Sequence, residues 1–206
     1  MNAQRLVLGE LDTNCWIVDD GSGAPAVVID PAGDEDLLLA ELEGRSVSHV
    51  VLTHGHFDHL VAVRAVLAST GAPLLVHEAD AARITDAEGT GARLFGLSYD
   101  APPADAVLRD GDRIEAGGLT LEVLHTPGHT EGSVCLLGEG NLFSGDTLFA
   151  GSIGRTDFPG GSMEDMRRSI AGRLAPLPDE TLVHPGHGPD TTIGRERRVN
   201  PFFPRA

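Results

Sequence analysis

The sequence predicts an α/β fold in which two mixed β-sheets pack face to face, with helices on both outer sides in four layers. Short apolar segments rich in β-branched residues alternate with segments of helical periodicity, and a second run of strand-like segments precedes a late helix. The chain has 206 residues, enough for one well-packed domain. Aromatic residues make up only 4% of it, so we expect an aliphatic core.

The first half of the chain predicts one sheet with helices against it. The expected strands are Arg5–Gly9, Asn14–Val18, Ala26–Ile29, Val47–Leu52 and Leu74–Val76. The expected helices are Glu35–Leu42, Leu60–Ser69 and Ala79–Ala87. Asp34 stands directly before the first of these helices, in the position of an N-cap.

The second half predicts the other sheet. The expected strands are Arg113–Glu115, Leu119–His125, Ser133–Leu137, Asn141–Ser144 and Thr181–His184. The expected helices are Met163–Leu174, which Ser162 precedes as an N-cap, and Thr191–Arg198. Residues Gly89–Asp112 form the one long irregular stretch, which is either a functional loop or a surface excursion.

Charge and composition exclude several classes of partner. The formal net charge of −16 opposes association with nucleic acid or with an anionic membrane. The longest apolar run, Leu60–Ala68, is too short for a membrane span and contains Arg64, and no signal peptide is evident, so we expect a cytoplasmic protein. Cys15 and Cys135 lie in apolar strand-like runs, which favours two buried free thiols over a disulfide.

The strongest motif is the segment Thr53–His59, which follows the apolar run Val50–Leu52. It offers four metal-ligand side chains in six positions: His54, His56, Asp58 and His59. In an extended chain two histidines two residues apart project to the same side. Imidazole and carboxylate groups suit Zn²⁺, and also Fe or Mn. This density at the end of a strand predicts a metal site.

Three further ligand-type residues follow other predicted strands. His129 lies in a Pro-Gly-His-Thr segment, Asp146 in Gly-Asp-Thr, and His187 in Pro-Gly-His-Gly. In α/β folds the carboxyl ends of strands are where sites assemble. We therefore expect these residues to join the Thr53–His59 segment in one metal centre. Asp30, which ends a buried strand, is expected to accept a hydrogen bond from a ligand imidazole.

Taken together, these motifs resemble the metallo-β-lactamase superfamily. The segments 126–133, 144–161 and 184–201 are similar to the short relatives of hydroxyacylglutathione hydrolase (glyoxalase II). The resemblance implies an αββα sandwich that spans residues 1–206 as a single domain and lacks the C-terminal helical domain of full-length glyoxalase II.

The resemblance also implies roles for the site residues. His54, His56 and His129 would hold one divalent metal ion, and Asp58, His59 and His187 a second, both of them Zn²⁺ or alternatively Fe or Mn. Asp146 would bridge the two ions, and a metal-bound hydroxide would attack a thioester of the S-2-hydroxyacyl-thiol type. Asp58 is the expected catalytic residue, which would orient the hydroxide or carry a proton to the leaving group.

The sequence leaves alternatives open for the substrate contacts and for the reaction. Tyr99, in the irregular stretch, and Arg155 are the expected substrate-binding residues, although Arg155 would alternatively pair with Asp157 merely to hold a loop. The segment 154–158 also resembles persulfide dioxygenases, in which a single iron would use His54, His129 and Asp146. A lactonase of the same fold remains open. A small-molecule substrate is expected, and the sequence leaves the oligomeric state undetermined.

Overall fold

Two six-stranded mixed sheets form the centre of the fold, and the computed structural model describes residues 1–204. The first sheet has the strand order β1-β2-β3-β4-β5-β6. Its strands are β1 (Asn2–Leu8), β2 (Thr13–Asp19), β3 (Ala26–Ile29), β4 (Val47–Val51), β5 (Leu74–His77) and β6 (Ala106–Leu108). The pairs from β1 to β3 are antiparallel and the pairs from β3 to β6 are parallel.

The second sheet is built mainly from the second half of the chain. In chain order its strands are β7 (Arg113–Ala116), β8 (Leu119–His125), β9 (Val134–Gly138), β10 (Asn141–Gly145), β13 (Leu182–Pro185) and β14 (Thr191–Thr192). They follow the order β14-β13-β10-β9-β8-β7, with β10 and β13 parallel and the other pairs antiparallel. Strands β11 (Leu148–Phe149) and β12 (Ser152–Ile153) form a separate short ribbon.

Helices cover the outer face of each sheet. Helices α1 (Glu35–Leu42) and α2 (Val63–Thr70) pack on the first sheet. Helix α3 (Met163–Ser169), which a π-helical turn extends through Leu174, and helix α4 (Ile193–Val199) pack on the second. Short 3₁₀ turns occur at Phe57–His59, Arg83–Thr85 and Ala92–Phe95.

Side-chain alternation along the strands explains the layering. In β3, Val27 and Ile29 point between the sheets, whereas Val28 packs toward Leu38 of α1. In β10, Phe143 points into the same inter-sheet core while Leu142 packs toward the outer helices. Each central strand therefore buries both faces. The predicted four-layer αββα sandwich of two mixed sheets is confirmed.

The structure corrects several predicted elements. The segment predicted as the helix Ala79–Ala87 contains only the 3₁₀ turn at Arg83–Thr85, because the side chains of Asp80 and Arg83 make long-range hydrogen bonds to Gly55 and Pro159 instead of projecting from a continuing helix. The stretch predicted as irregular contains β6, an edge strand of only three residues, which is too short to show a strand pattern in the sequence. Helix α2 begins three residues late, because the chain first makes the turn at Phe57–His59.

One of the two predicted N-caps is confirmed and the other is wrong. Ser162 caps α3 by accepting a hydrogen bond from the Asp165 amide, as predicted. The Asp34 carboxylate instead accepts a hydrogen bond from the Gly9 amide and none from an amide of α1.

Cys15 and Cys135 are buried free thiols, as expected. Within residues 1–204 no helix is both long enough and apolar enough to cross a membrane.

Candidate metal centre

The seven predicted ligand residues converge at one edge of the sandwich. His54, His56, Asp58 and His59 follow β4, and His129, Asp146 and His187 follow β8, β10 and β13. The last loop is joined to the first sheet, because the Asn14 amide donates to the Gly186 carbonyl at 2.7 Å. Strands of both sheets thus deliver ligand-type side chains to a single place.

The ligand-type atoms fall into three overlapping groups. Within each group the atoms lie within 4.8 Å of one another. The groups are His54, His56 and His129; His54, His59 and Asp146; and Asp58, His59 and His187. The first and third are the two triads that the resemblance implies, and the second places Asp146 between them. Their role in holding metal stays a prediction.

Hydrogen bonds behind the imidazole rings fix which nitrogen faces the centre. His129 donates from Nδ1 to the Arg155 carbonyl at 2.7 Å, and His187 donates from Nδ1 to the Leu11 carbonyl at 3.1 Å. Both rings therefore turn Nε2 inward. His56 instead presents Nδ1, which lies 2.8 Å from Nε2 of His129. Such outer contacts set the tautomer and orientation of metal-binding histidines.

Asp30 orients part of the centre from behind. Its Oδ2 accepts a hydrogen bond from Nδ1 of His59 at 2.9 Å, and its two oxygens accept from the Thr53 amide and hydroxyl, each at 2.7 Å. The Thr53 hydroxyl also lies 3.1 Å from Nδ1 of His54. Asp30 has a φ of 52°, a left-handed conformation that costs energy in a residue other than glycine. The expected hydrogen bond between Asp30 and a ligand imidazole is present.

Asp146 lies where a bridging ligand would be needed. Its Oδ1 is 3.4 Å from Nε2 of His59, and its Oδ2 is 3.5 Å from Nε2 of His129 and 3.6 Å from Nε2 of His187. Asp58 Oδ2 lies 3.2 Å from Nε2 of His187. The Asp146 carboxylate thus approaches histidines of both triads, whereas the Asp58 carboxylate approaches histidines of its own triad only.

Unpaired polar atoms show that these residues fit a cation. Nε2 of His54, Nε2 of His59 and Oδ1 of Asp146 are buried and have no hydrogen-bond partner in the described chain. Leaving such atoms unpaired costs about 1–3 kcal/mol each. All three point into the space that the ligand groups share, so a pair of divalent cations there would satisfy them.

Charge and burial set the protonation states in the absence of a cation. Burial lowers the pKa of His54 well below its usual value and that of His56 to about 3. Burial opposes the charged form of His59 too, but Asp58, Asp146 and Asp30 outweigh it and raise its pKa. Burial likewise opposes ionisation of Asp146, but His59 and other histidines lower its pKa. The lowered pKa of Asp146 favours its ionised form, and the raised pKa of His59 favours a protonated ring, which would lose its proton on binding metal.

The cleft beside the ligands is largely apolar. A cavity of about 410 Å³ is lined by five of the seven ligand residues, all except His54 and His59, and by Leu11, Phe57, Thr90, Gly91, Phe95, Phe149, Arg155 and Phe158. An adjoining cavity of about 350 Å³ contains Tyr99 and shares Asp58, Phe57 and Leu11 with it. Cavities of this size accept small molecules.

Of the two predicted substrate contacts, Arg155 lines the cleft beside the ligands and Tyr99 lines the adjoining cavity. Arg155 is held in place, because its guanidinium makes two hydrogen bonds to Asp157 and lies 3.7 Å from the centre of the Phe158 ring. The alternative prediction that Arg155 pairs with Asp157 is correct, and its role with substrate stays a prediction.

One hydroxyl and two main-chain carbonyls complete the site and were not predicted from the sequence. The Thr13 hydroxyl donates to Asp58 Oδ2 at 3.2 Å, and the carbonyls of Leu11 and Arg155 orient ligand histidines. Main-chain carbonyls leave no trace in residue identity. Thr13 lies 45 residues from Asp58, so no local pattern links the two.

Comparisons with known proteins identify the family of this chain. A family model described as the metallo-β-lactamase superfamily matches residues 8–187. The protein ML0493 of Mycobacterium leprae is 42% identical over 95% of each chain. The hydroxyacylglutathione hydrolase GloC of Haemophilus influenzae is 34% identical over 98% of each chain.

Solved structures of similar proteins share the fold along nearly the whole chain. BLEG-1, described as a B3 metallo-β-lactamase, is 39% identical with a TM-score of 0.92, covering 98% of this chain and 99% of its own. TTHA1623 in a di-iron-bound form is 39% identical with a TM-score of 0.86, at 97% and 100% coverage. ETHE1 from Myxococcus xanthus is 32% identical with a TM-score of 0.79, at 98% and 84% coverage.

Proposed function

Because the chain belongs to the metallo-β-lactamase superfamily, we propose that it is a metal-dependent hydrolase that cleaves a thioester of the S-2-hydroxyacyl-thiol type. The similarity to GloC, a hydroxyacylglutathione hydrolase, supports this substrate class. The proposed cofactor is a pair of divalent cations, Zn²⁺ in the first instance, and the similarity to a di-iron-bound protein makes iron the alternative.

The hydrolase proposal rests on the arrangement of the ligand atoms. Two triads of ligand atoms lie side by side, and Asp146 approaches histidines of both. In such a site two cations would supply hydroxide at neutral pH and polarise the carbonyl that it attacks. A thiolate leaves readily, so a thioester needs little acid catalysis at its leaving group. Because hydroxide would be the nucleophile, the site requires no serine or cysteine nucleophile.

The residues around the centre divide the remaining tasks. Burial opposes ionisation of Asp58, but His59 and His187 outweigh it and lower the pKa of this carboxyl. Its Oδ2 accepts a hydrogen bond from the Thr13 hydroxyl, so Oδ1 is left to orient water or take up a proton. Phe57, Phe95 and Phe158 give the cleft apolar walls against which the acyl group would pack. Tyr99 and Arg155 are the proposed substrate contacts.

The test is a substrate panel on protein loaded in turn with Zn²⁺, Mn²⁺ and Fe²⁺. The panel contains a 2-hydroxyacyl thioester of glutathione, the same acyl group on a small neutral thiol, a lactone, and a β-lactam because of the similarity to BLEG-1. We expect metal-dependent release of thiol. Intact thioesters together with hydrolysis of the lactone or the β-lactam would contradict the substrate assignment.

Asp146→Ala is the matching variant. It should lose metal loading and turnover together, because it removes the carboxylate that approaches both triads. Asp36→Ala is the control, since Asp36 is an exposed carboxylate on α1 that lies outside the centre. Full activity of Asp146→Ala would refute the bridging role.

The second candidate function is that of a persulfide dioxygenase. It is favoured by the similarity to ETHE1, which is a persulfide dioxygenase. It would use one iron held by His54, His129 and Asp146. Oxygen-electrode measurements with a persulfide substrate separate the two functions. Persulfide-dependent oxygen uptake by protein that holds a single iron would replace the hydrolase proposal.

A further inference from the structure

We infer that Asp80 is a positioning residue. It holds the side chains of His54, His56 and His129 in the relative positions that metal binding requires. The inference takes its ligand set from the proposed function. Asp80 follows β5, its side chain is fully buried, and it does not itself belong to any of the ligand groups. A buried carboxylate is costly unless it is fully hydrogen-bonded, so its partners show what it stabilises.

The partners of Asp80 come from two loops that carry ligands. Its Oδ2 accepts from the Gly55 amide at 2.8 Å and from the Thr130 hydroxyl at 2.7 Å. Its Oδ1 accepts from the Gly132 amide at 3.0 Å. Gly55 lies between His54 and His56 after the first sheet, and Thr130 directly follows His129 after the second. One carboxylate therefore ties together the two loops of the triad.

The fit at these two loops is tight. A Cβ at Gly132 would lie 2.6 Å from Cγ of Asp80, and one at Gly55 would lie 2.7 Å from Cδ of Arg83. Both glycines thus allow the close approach that the hydrogen bonds need.

Arg83 balances the charge of Asp80. Its Nε donates to Asp80 Oδ1 at 3.2 Å, and its other nitrogens donate to the carbonyls of Gly89 and Pro159. The guanidinium therefore joins two segments of the cleft to the same buried carboxylate. Charge-assisted hydrogen bonds of this kind are stronger than neutral ones.

Asp30 and Asp80 thus act on different parts of the centre. Asp30 holds His59, of the triad Asp58, His59 and His187, and reaches His54 only through the Thr53 hydroxyl. Asp80 acts on the His54–His56 loop and the His129 loop. Loss of Asp80 should therefore weaken one metal equivalent more than the other.

The test uses Asp80→Asn, which keeps the shape of the side chain but replaces one acceptor oxygen with a donor. Whichever way the amide turns, an NH₂ group will face existing donors. We expect one of the two Zn²⁺ equivalents, measured by chelator competition, to bind about 10- to 100-fold more weakly. The visible absorption spectrum of the Co²⁺-loaded protein should change as well.

Glu196→Gln is the matched control. Glu196 is another fully buried carboxylate. It accepts hydrogen bonds from the Gly151 main-chain amide, the Thr191 hydroxyl, the Arg195 guanidinium and the Asn200 side-chain amide, and from no residue of the two ligand loops. Both variants should lose thermal stability, but only Asp80→Asn should lose metal affinity. Equal metal affinity and an unchanged Co²⁺ spectrum in Asp80→Asn would overturn the inference.

A second pair of variants decides the question should Asp80→Asn fail to fold. Thr130→Val removes the hydroxyl donor at similar volume and Thr130→Ser keeps it. Weaker metal binding is expected for the valine variant alone, and equal binding by both overturns the inference. If the unaltered protein binds two metal ions but cleaves no thioester, the proposed substrate fails while the inference about Asp80 stands. If it binds no metal, both fail.

Discussion

Replacing Gly186 with alanine tests how closely the metal centre is packed. Gly186 immediately precedes His187, and a Cβ there would collide with Oδ1 of Asp146. It would also lie 2.7 Å from Cε1 of His59 and 3.1 Å from the carbonyl carbon of Gly145. Carbon atoms in ordinary contact are about 3.5–4.0 Å apart, so the His59 ring would have to move by about 1 Å.

The backbone has little freedom to absorb this movement. The Gly186 amide donates to the Gly145 carbonyl at 2.8 Å, and the Gly186 carbonyl accepts from the Asn14 amide at 2.7 Å. We therefore expect Gly186→Ala to lose about 1–3 kcal/mol of unfolding free energy through overpacking. Because His59 and Asp146 are both displaced, metal affinity should fall by at least about 10-fold.

Two measurements check this prediction, namely urea denaturation of the metal-free protein and Zn²⁺ affinity by chelator competition. Gly172→Ala is the control, since Gly172 is an exposed helical glycine where an added methyl group would meet no atom within 4 Å. That variant should be more stable by about 0.5–1 kcal/mol and unchanged in metal binding. Wild-type metal affinity in Gly186→Ala would refute the argument that the ligands are closely packed around this position.

Three further predictions follow from buried groups. Asp30→Asn should weaken metal binding about 10- to 100-fold, because it disturbs the hydrogen bond to His59, and unchanged affinity by chelator competition would contradict that role. Cys15 and Cys135 should not react with a thiol reagent at pH 8 until the protein is denatured. Burial raises the pKa of Cys135 to about 11 and raises the pKa of Cys15 further. Fast labelling of the folded protein would contradict this prediction. Phe143→Ala should cost about 3–5 kcal/mol in urea denaturation, since Phe143 fills the core between the sheets, whereas Leu182→Ala at a half-exposed position should cost much less.

The sequence was most informative where ligands lie close together in the chain. Four ligand-type residues within six positions after a buried strand indicate a site, and His129, Asp146 and His187 each follow a strand of their own. Parallel and adjacent strands bring such loops to one edge of the sandwich. Local pattern therefore sufficed to predict which seven side chains meet.

Contacts between distant residues were not predictable in the same way. Asp80 lies in a segment whose spacing predicts a helix, yet its partners are main-chain amides 25 and 52 residues away and a hydroxyl 50 residues away. These tertiary hydrogen bonds override the local helical preference. The edge strand β6 escaped prediction because its three residues, Ala106–Leu108, are too few to show an alternating pattern.

The number of metal ions bound by each chain tests the central claim most directly. Apoprotein titrated with Zn²⁺ in a calorimeter, with elemental analysis of the dialysed product, gives this number. We expect two ions in the unaltered protein and a loss of tight binding in Asp146→Ala, because the Asp146 carboxylate approaches both triads. A single tightly bound ion that survives the loss of Asp146 would contradict this expectation.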